Sequence, residues 1–571
     1  MKPLTKAMYC VQLVLPNWLL IASLGFGALD QSATVPGELR NYSTIHSIGV
    51  EWDITGDPDH DATCLVQYRV KGTDTWKQAL PLFRVDFNGW YAETKADRAY
   101  NMLVGSILFL EPGATYEVRL DLSDPDGGGE SRVLTIATRP VPRLPTGGKT
   151  WHVITGSGGG DGSKDRPFHG LKPAQEAAGP GDILLLHKGE YGSFTFDKSG
   201  ETARYVVWKA AGDGEAVFGA AQVAASHVWL EGLTFESETS GNGLRARGAV
   251  TDLVVSRNSF TGFHYSVLLS PESRDWYIAD NVIVGDNDPV SGGISGEGIE
   301  LNHSSGHVVA HNRISRTADG VSYPHRNCDI YGNDIFDVSD DGLEPDYGYA
   351  NNRMWANSIT NAKNAGISFQ PMYCGPWYFI RNQVLSHGYV FKFRVQDRFL
   401  LAHNTLVSWR PADPRMNHIL TSLSRNNLYI PAGGKSPVWV ASRTADPRYT
   451  LPDNYSPNWM TDVDYDGFDW GDSPTAFQWE NKRYPDLVSF AQAVGIERHG
   501  VRVRKYEIFD SFNVPAEPSP DAPQSWTLRP GSNAIDVGTR LANINGDFEG
   551  QAPDLGAHEF GEPAPHYGPR P

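Results

Sequence analysis

Asn312-Arg313-Ile314, Asn333-Asp334-Ile335, Asn357-Ser358-Ile359 and Asn382-Gln383-Val384 repeat one step, Asn-x-apolar. The step begins earlier, at Asn258-Ser259-Phe260 and Asn281-Val282-Ile283, and continues through Asn404-Thr405-Leu406 and Asn427-Leu428-Tyr429. Successive asparagines lie 23, 31, 21, 24, 25, 22 and 23 residues apart. A unit of this length, built of short apolar runs without helical period, is one coil of a β-solenoid. Asparagine recurs for a physical reason: its amide bonds backbone at a turn and stacks on the next amide in a ladder. The 31-residue interval holds an extra loop around Asp286 to Ser295. Loops inserted on one face of a solenoid build binding walls.

A second repeat marks the face that carries chemistry. Glu297-Gly298-Ile299-Glu300, Asp319-Gly320-Val321-Ser322 and Asp341-Gly342-Leu343-Glu344 recur at intervals of 22 and 22, followed by Asn364-Ala365-Gly366-Ile367-Ser368. Strand residues alternate between faces. With Ile299, Val321, Leu343 and Ile367 inward, Glu300, Ser322, Glu344 and Ser368 form one outward column. Asn302, Pro324, Asp346 and Gln370 form a second, with His303, His325 and Tyr347 just beyond it. One coil later, Phe391-Lys392-Phe393-Arg394 sends Lys392 and Arg394 outward. Coils stack about 4.8 Å apart, so the result is a strip of carboxylates, amides, rings and two cations along one sheet.

Composition restricts the function classes. The 571 residues carry 49 Lys and Arg against 67 Asp and Glu, a net charge of −18, which argues against a nucleic-acid partner. Hydrophobic residues at 40% and charged residues at 20% describe a globular chain. The 59 Gly and 38 Pro foretell many turns and few helices. Four cysteines, Cys10, Cys64, Cys328 and Cys374, lack the spacing of a disulfide framework or a zinc site. Cys328 and Cys374 are expected as core fillers.

The ends of the chain read differently from its middle. Lys2 and Lys6, an apolar stretch from Met8 to Phe26 and the small residues Gly25, Gly27 and Ala28 read as a cleaved signal peptide over residues 1–30. The protein is therefore expected to be secreted or periplasmic, with no membrane span. Residues 36–140 alternate apolar and polar positions in short runs, as in Cys64-Leu65-Val66-Gln67-Tyr68-Arg69-Val70 and Tyr116-Glu117-Val118-Arg119-Leu120. Such runs predict a β-sandwich. The segment Leu110-Glu111-Pro112-Gly113-Ala114-Thr115-Tyr116, with Trp52, resembles the tyrosine corner of fibronectin type III domains, which are spacers or docking modules. A linker over 141–150 precedes the solenoid, expected over 151–430. An extension over 431–571 is expected to pack on the helix. Within it Asp462-Val463-Asp464-Tyr465-Asp466-Gly467 starts like a calcium loop, but Ser473 stands where the closing Glu belongs, so it reads as an acidic surface turn.

On these residues the fold class is all-β: a right-handed parallel β-helix preceded by a fibronectin type III-like β-sandwich. The stretch from Trp151 to Tyr429 resembles the pectate-lyase-like superfamily, whose members include lyases, hydrolases, esterases and inert adhesins. Asp340-Asp341-Gly342-Leu343-Glu344, with Asp319 one coil earlier, is similar to the calcium site of family 9 polysaccharide lyases. That resemblance implies Asp319, Asp340, Asp341 and Glu344 as Ca²⁺ ligands and Lys392 as the base that takes the C5 proton of a uronic acid. Glu344 stands where the family has Asp, and an extra coil lies between Glu344 and Lys392. The expected reaction is β-elimination on an anionic polysaccharide, with Arg394 lowering the Lys392 pKa. Glu300, Asn302, His303, Gln370 and Arg394 are expected to bind the polymer. His325 and Tyr347 supply a metal-free variant, one handling the proton and the other donating to the leaving oxygen.

Two alternatives stay open. Glu344 with Asp346 could serve an inverting glycoside hydrolase as acid and base. Asp319 with Asp340-Asp341 is also similar to family 28 polygalacturonases, whose Gly-His-Gly coil is replaced here by Gly366-Ile367-Ser368. The third reading is a non-catalytic carbohydrate-binding surface protein. A monomer is expected in each case. The Asp-Gly steps have a purely conformational reading too, in which Asp caps a turn and Gly takes positive φ.

Overall fold

A computed structural model describes residues 32–87, 100–370, 372–393, 398–410, 422–433, 438–441, 461–514 and 526–571. The expected signal peptide lies outside these residues, as does Arg394. No helix among the described residues is long and apolar enough to cross a membrane.

Two four-stranded antiparallel sheets form the N-terminal unit. One holds Val35–Ser43, Ile48–Thr55, Phe83–Phe87 and Tyr100–Ile107, the other Thr63–Val70, Lys77–Gln78, Thr115–Ser123 and Gly129–Ala137. Alternation places Val66, Val118 and Leu120 in a shared core with Val50 and Trp52. The Tyr116 hydroxyl accepts the Glu111 N–H at 2.9 Å, the backbone bond of a tyrosine corner.

The rest is a parallel β-helix. Each coil contributes one strand to a 14-stranded sheet, such as Val308–Ala310, Asp329–Tyr331 and Asn352–Trp355. It also contributes two strands to a 20-stranded sheet bent at a corner, such as Arg313–Ser315 with Asp319–Ser322. Between sheets runs one continuous apolar core, in which Phe235 stacks on Phe260 at 4.6 Å.

The asparagine ladder forms as expected. Each Nδ2 donates to the Oδ1 of the next rung, from Asn258 to Asn281 at 3.1 Å through Asn404 to Asn427 at 2.8 Å. It also donates to a strand carbonyl, as Asn357 does to Ile330 O at 2.9 Å. The ladder runs through the 31-residue interval unbroken, since Asn281 reaches Asn312 at 2.8 Å.

The solenoid passes the expected end at residue 430. Thr461–Val463, Gly467–Phe468 and Val501–Arg502 pair in parallel with the preceding coils. Asp466 is fully buried and accepts from Asn427 Nδ2 at 2.9 Å, so it is a further rung rather than part of a surface turn. Its own N–H donates to Glu497 Oε2 at 3.3 Å. Residues 526–571 then run back along the helix, ending where Arg570 pairs with Asp280 at 2.7 Å.

The sandwich is clamped to the 14-stranded sheet. Arg353 and Asp329, both without exposure, pair on that sheet. Asp329 also accepts from the Thr44 hydroxyl, and Arg353 Nη1 donates to Ser106 Oγ at 3.0 Å. The Tyr378 hydroxyl accepts the Ser106 N–H at 2.8 Å. A spacer would leave these polar groups to water. Cys328 and Cys374 are buried in apolar clusters, as core filling requires.

Candidate active site

The outward column predicted from the repeat is present. Register pairs Glu300 with Ser322, Ser322 with Glu344, and Ser368 with Lys392. Only Glu300 is half-exposed; Ser322, Glu344, Ser368 and Lys392 are buried.

The acidic residues that open each strand join this face instead of following Ile299, Val321 and Leu343 inward. The chain turns a corner there, and the glycines that follow approach the core. A Cβ on Gly298, Gly320 or Gly342 would lie 2.5, 2.6 or 2.4 Å from Cγ2 of Ile314, Ile335 or Ile359. These three glycines are thus required by close approach; none has positive φ, which corrects the turn reading. The corner sends Glu297, Asp319 and Asp341 out beside Glu344. Carboxylate oxygens of Glu297, Asp319 and Glu344 lie within 4.8 Å of one another, and so do those of Asp319, Asp340 and Asp341. Glu297 therefore belongs to the site. It was legible in the sequence, being in register with Asp319, but strict alternation hid it.

Lys392 reaches this cluster across two coils. Its ammonium pairs with Asp341 and lies 3.6 Å from Asp340 Oδ1. Burial works to lower its pKa, but Asp341, Asp340 and Asp346 outweigh burial and hold it above the ordinary lysine value. This corrects the expected depression: in the cluster as it stands Lys392 is a charged counter-ion. The carboxyls move upward. Burial, then Glu300, pushes Glu297 up to about 8, and burial pushes Glu300 up to about 7. Burial raises Asp341 to about 8 against the pull of Lys392. Asp319 and Glu344 are raised by burial and by their acidic neighbours. Crowded carboxylates in a dry site hold protons unless a cation replaces them.

The donor set suits a hard cation. It consists of carboxylate oxygens converging from three coils, as calcium coordination requires. Among the described residues, Glu297 Oε2, Glu344 Oε2 and the fully buried Ser322 Oγ have no hydrogen-bond partner. The expected ligand set divides: Asp319 is common to both triads, Glu344 sits with Glu297, and Asp340 and Asp341 face Lys392.

The other predicted residues separate. Asp346 Oδ1 accepts from Ser368 Oγ at 2.7 Å and Gln370 N at 2.8 Å, which ties it to the next coil. Gln370 is buried, and its Oε1 has no partner among the described residues. Asn302 Nδ2 donates to Leu269 O at 2.9 Å. His303 does not stack with His325. Its ring lies 5.2 Å from Tyr323 and 6.2 Å from Tyr347, and burial lowers its pKa so that the imidazole is neutral. His325 turns toward the sandwich, its ring 4.6 Å from Tyr349, which packs on Tyr100. Left-handed backbone at His303, Tyr323 and Tyr347 (φ 57°, 54° and 59°) breaks the alternation on which the predicted column relied. Tyr323 was missed for this reason. Burial and the charges of Glu344 and Asp346 raise its hydroxyl pKa, so it stays protonated beside the cluster.

The inserted loop flanks the same place. Gly293 O accepts from Ser339 Oγ at 2.7 Å, next to Asp340, and His264 bonds Asp286 and Ser295 at 3.2 Å each.

No curated protein matches the chain. A family model described as right handed beta helix region matches residues 218–405, which include every acidic member of the cluster and Lys392, and by this match and its solenoid the chain is a parallel β-helix protein.

Proposed function

We propose that the chain is a carbohydrate-active enzyme that cleaves a uronate-containing polysaccharide by β-elimination, exported to act outside the cytoplasm. One observation carries the reading: Glu297, Asp319, Asp340, Asp341 and Glu344 converge on one buried strip with Lys392 against it. So much uncompensated carboxylate serves stability poorly, and such sites are functional-site candidates. The fold is common among polysaccharide-degrading enzymes.

Glu297, Asp319 and Glu344 would hold Ca²⁺, with Asp340 and Asp341 completing the set on the Lys392 side. A hard cation held there would supply positive charge to neutralise the substrate carboxylate, which would make the C5 proton more acidic. Lys392 Nζ is the group that takes this proton. It acts as the free amine, so Asp341 and Asp340 must be engaged elsewhere during the reaction. The Tyr323 hydroxyl, protonated at working pH, donates to the leaving glycosidic oxygen. His303 and Tyr347 flank Tyr323 and offer ring faces to a sugar.

A second reading has its own observation. Glu297 and Glu300, at about 8 and about 7, keep protons near neutral pH, as the acid of a glycoside hydrolase must. Product chemistry separates the two. On a panel of uronate and neutral polysaccharides, with and without EDTA, elimination gives new reducing ends together with ultraviolet absorbance of unsaturated uronate. Reducing ends without that absorbance assign hydrolysis. Neither signal on any polymer removes the enzymatic reading in favour of a binding protein.

A further inference from the structure

The outward column does not stop at Glu300. Toward the N-terminus, register pairs Glu300 with Leu268, Leu268 with Arg245 and Arg245 with Gln222. Arg247 lies two residues along the same chain and shares the face of Arg245. Its Nη1 donates to Gln222 Oε1 at 3.1 Å. Both arginines are exposed and line a cavity of about 590 Å³ with Gln222, Ser270, Pro271 and Asn302. Asn302 belongs to the carboxylate end of the strip, so the cavity and the cluster share one surface.

In a chain of net charge −18, neither Arg245 nor Arg247 has a carboxylate partner among the described residues, so both charges are available to an anion. Two exposed cations converge on a concave polar site in line with the cluster. A guanidinium offers a fork of donors that matches a carboxylate or sulfate group.

We infer that Arg245 and Arg247 form a remote subsite for an anionic sugar of a polymer laid along the sheet. This rests on the polysaccharide reading above and adds a second anion contact remote from the cluster and the length of chain bound. Arg245 precedes Glu344 by four coils, about 19 Å at about 4.8 Å per coil. That rise is close to the length of one hexopyranose in an extended polymer, so successive coils meet successive sugars. A chain reaching from the arginines to the cluster spans about five sugars by this spacing. The protein therefore engages internal stretches of a polyanion.

Affinity electrophoresis of the full chain tests this in native gels containing polygalacturonate, dextran sulfate or unsubstituted dextran, all with EDTA. The wild type is expected to be retarded by polyanion and not by dextran, and the polyanion that retards it distinguishes carboxylate from sulfate recognition. R245A/R247A should bind about a hundredfold more weakly or worse, since it loses two charge-assisted contacts of about 1.5 kcal/mol or more each. K164A/R166A, with the same charge change on exposed residues between two strands of the 14-stranded sheet, should bind as the wild type does. Equal retardation of R245A/R247A and wild type overturns the inference, and so does a wild type that neither polyanion retards. Binding is read without turnover. Arginine-dependent retardation with no cleavage products would leave this subsite standing and sink the enzymatic reading alone.

Discussion

Replacing Lys392 by Met keeps an unbranched side chain one atom shorter and removes its charge. The ammonium faces Asp341, Asp340 and Asp346, which are 0%, 5% and 4% exposed. Removing one partner of a buried ion pair costs about 3–5 kcal/mol, because the remaining charge is stranded. Lys392→Met should lose about that much in urea unfolding at pH 8 with EDTA. Two treatments should restore it. Asp341 titrates near 8 in the fold, above its unfolded value near 3.9. The folded state thus binds the extra proton, and its contribution falls as pH rises between those values. At pH 5 the variant carries protons where the lysine charge was, and the deficit against wild type should shrink. Calcium at a hundred times its dissociation constant should add about 2.7 kcal/mol. A Lys392→Met midpoint equal to wild type in EDTA at pH 8 would refute the counter-ion role. A deficit untouched by both acid and calcium would refute the cation site.

Tyr323→Phe keeps the ring and removes the raised hydroxyl; turnover should fall about a hundredfold or more while calcium affinity, followed by calorimetry, stays unchanged. Asn357→Ala removes a buried rung that accepts from Asn333 N and Nδ2 and donates to Ile330 O and Asn382 Oδ1. Four lost bonds at about 1 kcal/mol each predict a loss of about 4 kcal/mol, read by urea unfolding. Arg353→Ala strands Asp329 between sandwich and helix; it should cost about 3–5 kcal/mol and open the linker to limited proteolysis.

The solenoid was legible because its period is written in one residue type with one job. Its true end was not, because Asp466 and Glu497 replace Asn, and Asp466 comes 39 residues after Asn427 instead of about 23. The carboxylate strip was legible wherever strand alternation holds, as for Glu300, Glu344 and Lys392. It misled at both ends of each strand. At the start, the corner brings Glu297 onto the face assigned to Glu300. At the finish, left-handed residues swing Tyr323 in and His325 away. The docking of the sandwich was invisible, since Thr44, Ser106, Asp329 and Arg353 carry no local pattern and meet only in three dimensions.

The ladder is also electrically directional. From Asn258 to Asn427 one Nδ2–H of each rung points to the acceptor of the next rung and every Oδ1 points back, so the amide dipoles add along the stack and the C-terminal end is electropositive. A carboxylate belongs there for the reason it belongs at a helix N-terminus. Asp466 occupies that position with no cation paired to it among the described residues, and Ser424 Oγ donates to it at 2.5 Å. An aspartate introduced at an interior rung would meet the next amide oxygen head-on. The stack therefore reads one way only, and a coil grafted beyond Asn427 would have to begin with an acceptor.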